Sequence, residues 1–146
     1  MTVIRNSTII NCSPEDAFDY LSDLRNEREW NPTVESVEML TDGPVGVGTR
    51  FRAKWKGGPA VEVRTVRYDR PTSWEHHNGG PIRVIFSGTL EPVPEGCRLS
   101  VDFDARPQGW FRLLFPLFVV KLRRDEKANM TYLRRALELR SEPEGT

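Results

Sequence analysis

Apolar and polar positions change period part-way along the chain, and that change divides it into two kinds of structure. From residue 110 onward the run Trp110-Phe111-Arg112-Leu113-Leu114-Phe115-Pro116-Leu117-Phe118-Val119-Val120 leads into a charged segment. It then continues as Ala128, Met130, Tyr132, Leu133, Ala136, Leu137 and Leu139. Spacings of three and four predict one long helix with a buried stripe, over roughly 111–140. At about 1.5 Å per residue it would be on the order of 45 Å long, enough to cross a small domain. Before residue 110 the period is two. Phe51, Ala53 and Trp55 alternate with Arg50, Arg52, Lys54 and Lys56, and Leu99, Val101 and Phe103 alternate with Ser100, Asp102 and Asp104. Alternation of this kind predicts antiparallel strands with one face buried and one in solvent.

Turn residues punctuate the strands. Val3–Ile10 reads as the first strand, and Ser13 as an N-cap with Pro14 at the first helical position and Glu15 and Asp16 behind it. Asp23 caps a second short helix that Pro32 ends. Strands follow over 34–40, 49–56, 60–68, 73–78, 82–91 and 97–105, separated by glycine- and proline-rich turns. The predicted order is β-α-α-β-β-β-β-β-β-α. This is an α+β fold in which a twisted antiparallel sheet has its apolar face covered by helix. With neither repeat nor linker, residues 1–146 are read as a single domain whose tail, 141–146, is frayed.

Composition narrows the function classes. Lysine and arginine total 21, as do aspartate and glutamate, so overall charge gives no reason to expect nucleic acid. Cys12 and Cys97 are isolated, which suits a reduced, cytoplasmic setting. The start of the chain lacks a signal-peptide pattern, and the longest apolar run, Leu113–Val120, is too short for a transmembrane segment.

The chain resembles the START-like superfamily (SRPBCC proteins, the polyketide cyclase/dehydrase and lipid-transport proteins). The resemblance rests on Cys12-Ser13-Pro14-Glu15-Asp16-Ala17-Phe18, Trp30-Asn31-Pro32 and Gly46-Val47-Gly48-Thr49-Arg50-Phe51. It is completed by Tyr68-Asp69-Arg70-Pro71, Glu95-Gly96-Cys97-Arg98-Leu99 and the long terminal helix. It implies the helix-grip fold, a seven-stranded sheet wrapped around the C-terminal helix with a ligand cavity between them. Members commonly have threonine where this chain has Cys97. They share no catalytic constellation, so no active-site residue carries over.

Candidate site residues come from the pattern. His76 and His77 are the only histidines, and on a strand they face opposite ways; with Trp74 inward, His76 shares its face. His76 is the candidate acid/base, or a hydrogen-bond partner for a ligand. Ligand-binding candidates on the strands and first turns are Trp30, Phe51, Trp55, Trp74, Val84, Phe86, Val101 and Phe103. On the helix they are Trp110, Phe111, Phe115 and Phe118, which form a lip or simply cover the sheet, with Asn129 and Tyr132 as polar groups turned inward. Pro116 either kinks this helix or marks its start. No metal-ligand spacing, nucleophile elbow or phosphate loop is present, so neither metal nor cofactor is expected.

The leading expectation is a carrier or sensor of a small hydrophobic molecule (lipid, polyketide or other aromatic) held between sheet and helix. The alternative is a cyclase/dehydratase-type enzyme using His76. A protein-interaction module, with a collapsed interior and an exposed apolar patch, is the third reading. Homodimerisation is left open.

Overall fold

The computed structural model describes residues 2–80, 82–107, 109 and 111–140. Its elements are β1 (Thr2–Ile10), α1 (Pro14–Leu21), a 3-10 helix (Leu24–Glu29), β2 (Val34–Met39), β3 (Arg50–Trp55), β4 (Val61–Asp69), β5 (Ser73–Asn78), β6 (Ile82–Val93), β7 (Gly96–Pro107) and α2 (Phe111–Arg140). The strands form one seven-stranded antiparallel sheet in the order β1-β7-β6-β5-β4-β3-β2. All strands from β2 to β7 are joined to their sequence neighbours, and β1 closes beside β7. This is the α+β arrangement expected from the pattern, and the helix-grip fold that the resemblance implies.

Local chemistry sets the boundaries. The Ser13 side chain accepts from the Asp16 N–H at 3.2 Å, and Pro14 opens α1. The Asp23 carboxylate accepts the Arg25 N–H at 3.0 Å and starts the 3-10 helix. Pro116 lies inside α2, so the helix is continuous through it and begins at Phe111. The β6–β7 hairpin is longer than the prolines suggest. Pro92 pairs with Cys97 and Val93 with Gly96, which leaves only Pro94-Glu95 as the loop. Gly96 makes this close approach: its φ is +144°, and a Cβ there would lie 2.3 Å from the Ile10 carbonyl oxygen. The Arg70 guanidinium spans both Asp19 carboxylate oxygens at 2.7 and 2.9 Å, tying the β4–β5 turn to α1.

The buried apolar residues fall into two groups. The larger joins Ile10, Phe18, Trp74, Leu90, Leu99 and Val101 to Met130, Leu133 and Leu137, the inward stripe of the second half of α2. The smaller holds Phe51, Ala53 and Val63 under Leu24, Val37, Met39 and Trp55. Trp74 stands edge-on to Phe18, ring centroids 5.5 Å apart, and lies against Gly88. A Cβ at residue 88 would sit 2.4 Å from the indole. Gly88→Ala should therefore force the buried ring off its seat and lower unfolding free energy by about 1–3 kcal/mol, as read from urea denaturation. An unchanged midpoint would show that Trp74 does not need that space.

Candidate functional site

A polar seam runs where the two apolar groups meet. β5 contributes His76, which is 4% exposed and shares its buried face with Trp74, as the alternation implies. Beside it on β4, Thr65 is 1% exposed, its Oγ1 3.0 Å from His76 Nδ1. The Phe51 ring stands edge-on to the imidazole at 6.2 Å. The other ring nitrogen, Nε2, is buried without a well-formed hydrogen bond to any protein group. The Ser22 backbone makes a loose hydrogen-bonding contact with the ring that favours its protonated form. Burial pulls the His76 pKa down to about 4, against the opposing pull of the Ser22 backbone and the Asp23 carboxylate. The ring is therefore neutral at neutral pH. If the Thr65 hydroxyl donates to Nδ1, Nε2 carries the proton and offers a donor; if Nδ1–H donates to Thr65, Nε2 is an acceptor.

The helical side of the seam is also polar. Ser22 is buried at the end of α1, and its Oγ has no partner. On the 3-10 helix, Glu27 turns inward, where its Oε1 accepts from Asn31 Nδ2 at 3.3 Å and its buried Oε2 has no partner. Across from it on α2, Glu126 is hydrogen-bonded to Asn129. Asn31 and Asn129 are both buried. Burial, reinforced by the nearby Glu126, pushes the Glu27 pKa up to about 8, while the Asn31 hydrogen bond opposes it. For Glu126, burial raises the pKa to about 7, against the Asn129 hydrogen bond. At neutral pH the seam thus presents a neutral imidazole, a largely protonated Glu27 and a Glu126 shared between its two forms, where the sequence shows charges.

Next to the seam an open groove of about 460 Å³ lies between the 3-10 helix and α2. Trp30, Asn31, Pro32, Tyr132, Ala136 and Leu139 line it, with Arg28, Glu29 and Arg135 also contributing. Asn31 belongs to both groove and seam.

The sequence-derived candidates distribute unevenly over this geometry. Trp74, His76, Phe51 and Val101 are buried on the inner face. Phe86 and Phe103 pair edge-on across β6 and β7 with centroids 6.4 Å apart, and both are half-buried, as is Val84. Trp55 packs on the smaller apolar group, so it serves that core. Asn129 turns inward as expected. Tyr132 does not: it is 41% exposed and lines the outer groove with Trp30. Three residues along an α-helix amount to about 300°, which swings Tyr132 about 60° from Asn129 toward solvent. Trp110, and the side chains of Phe111, Phe115 and Phe118, lie outside the described residues. Ser22, Glu27, Asn31 and Glu126 are absent from the sequence-derived set. Glu126 shares the inward stripe with Met130 and Leu133, and Glu27 stands three residues from Leu24, so their period points inward while their charge suggests solvent.

Residues 1–138 match the sequence model described as polyketide cyclase / dehydrase and lipid transport. The chain belongs to that family. Among solved structures it is similar to TTHA0849 from Thermus thermophilus, at 19% identity and a TM-score of 0.78 over 97% of this chain and 100% of that one. MLL2253 from Mesorhizobium loti gives 15% identity and a TM-score of 0.74 over 97% and 100%. Ara h 8.0201 gives 16% and 0.63 over 90% and 97%. These likenesses extend the helix-grip fold to this member of the family. No match is found among curated proteins. Among the described residues no helix is long and apolar enough to cross a membrane.

Proposed function

We propose that the chain binds a small hydrophobic molecule that carries at least one hydrogen-bonding group. The molecule would enter by the Trp30–Tyr132 groove and set its polar group against the seam. The observation that supports this reading is a set of buried polar atoms that, among the described residues, lack a well-formed protein hydrogen bond: Ser22 Oγ, Glu27 Oε2, Trp74 Nε1 and His76 Nε2. An unmade buried hydrogen bond costs about 1–3 kcal/mol, and a ligand supplying complementary groups would recover that loss. Flanking aromatics and aliphatics provide the apolar walls.

Binding without chemistry fits His76 better than base catalysis does. A base with a pKa near 4 is available at pH 7 but disfavours taking a proton by about 4 kcal/mol. A cyclase/dehydratase role would need a substrate group that offsets this.

Thermal denaturation should show stabilisation by some members of a panel of lipids, polyketides and other aromatics. A ligand at about a hundredfold excess over its dissociation constant adds about 2.7 kcal/mol. His76→Leu should weaken ligands with a polar head about tenfold and leave fully apolar analogues unchanged. No stabilisation across the panel would end the proposal.

A further inference from the structure

The outward face of α2 has a composition that neither the fold nor the interior seam requires. Leu113, Leu117 and Val120 are 84%, 78% and 72% exposed. They stand at i, i+4 and i+7, on one line along the helix. Arg124 and Lys127, both exposed, continue the same line at i+11 and i+14. Every charged residue that is exposed among those described on α2 is basic: Lys121, Arg123, Arg124, Lys127, Arg134 and Arg135. The acidic residues of the helix lie elsewhere. Glu126 belongs to the seam, Asp125 is half-buried, and Glu138 accepts the Asn11 N–H at 3.0 Å. A chain with 21 basic and 21 acidic residues has thus gathered cations on one helix face and placed three bare aliphatic side chains among them.

We propose that this face docks the protein on an anionic phospholipid surface, with Leu113, Leu117 and Val120 entering the headgroup–acyl boundary and the basic residues contacting lipid phosphates. Aliphatic side chains beside lysine and arginine match an interface that is apolar below and negative above. A second copy meeting this face would set one cationic array against another, which disfavours the symmetric dimer. Nucleic acid would satisfy the charges but leave the leucines in water. Among the described residues no helix is long and apolar enough to span, so the proposed contact is peripheral and reversible. The docking is independent of what the seam binds.

The test is co-sedimentation of the purified chain with vesicles of phosphatidylcholine alone, and with about 30% phosphatidylserine added. Partitioning should be at least about tenfold stronger on the anionic vesicles and should fall as salt is raised. Leu113→Ser/Leu117→Ser/Val120→Ser should reduce it about tenfold, as should Arg124→Glu/Lys127→Glu. All five positions are solvent-exposed, so circular dichroism and melting should match the parent chain. Three results would overturn the proposal: no partitioning onto anionic vesicles, equal partitioning onto neutral ones, or partitioning unchanged in both variants. Dimerisation in sedimentation velocity that disappears with the leucine substitutions would also overturn it, by assigning the face to a second copy.

Discussion

Glu27→Gln should make the protein more stable, by an amount that depends on pH. In the folded chain the Glu27 pKa is pushed up to about 8, against an unfolded carboxyl near about 4.3. Between those values the native state holds a proton that the unfolded chain has released, so stability falls as pH rises through the window. Below about pH 4 both states are protonated and the wild type bears no cost. Above about pH 8 both are ionised and the folded state carries the whole cost, on the order of 5 kcal/mol. Glutamine keeps the oxygen that accepts from Asn31 and cannot ionise. Urea denaturation at a series of pH values should therefore show little difference in acid and a gap that widens to several kcal/mol in mild alkali. Parallel curves for the two proteins would mean that Glu27 is solvated.

A protein that keeps such a cost has a feature its fold does not need. A leucine at residue 27 would extend the apolar contact of Leu24, three residues away on the same face of the 3-10 helix. Instead a carboxyl stands toward Glu126, with an amide beside each. Strongly shifted groups of this kind concentrate where a protein handles a ligand or a proton. In the binding reading, a protonated Glu27 donates a hydrogen bond at neutral pH and an ionised one accepts.

The two periods in the sequence are enough for the architecture. Strict alternation at Phe51-Ala53-Trp55 and Leu99-Val101-Phe103 places β3 and β7, and the three–four spacing places α2. Turn chemistry at Ser13, Asp23 and Gly96 fixes where elements begin. The inward placement of His76 follows from Trp74 by strand geometry alone. The carboxyls are hidden for a physical reason. A single-sequence reading treats charge as a sign of solvent, because an unpaired ionised group is costly to bury. Glu27 and Glu126 soften that rule because burial itself raises their pKa values, so that Glu27 is largely and Glu126 partly a neutral acid at neutral pH. Tyr132 departs from expectation for a different reason. Nearness in sequence groups it with Asn129, whereas the 3.6-residue turn puts it at the rim. The outward leucines of α2 are legible as an excess of apolar residues, but only the structure shows on which side of the helix they stand.

His76 should destabilise the protein in acid, the mirror image of Glu27. Its folded pKa is pulled down to about 4 by burial, while an unfolded histidine titrates near about 6.5. Between these values the unfolded chain binds a proton that the native state refuses, so stability is lost as pH falls from about 6.5 to about 4. The full loss is about 3 kcal/mol, present below about pH 4 and absent above about 6.5. His76→Gln removes the ionisable group while leaving an amide for the Thr65 hydroxyl. In denaturation the variant should gain stability relative to the wild type as pH falls from about 6.5 to about 4, by up to about 3 kcal/mol. The buried carboxyls, whose slope runs the other way, then act unopposed. Ring resonances of His76 in an NMR titration should hold their neutral positions down to about pH 5. A ring that titrates near its ordinary value would show that water reaches Nε2, and with it would go the buried imidazole on which the binding proposal leans most. A ring that stays neutral, and then shifts when a polar-headed ligand is added, would locate that ligand's head at Nε2.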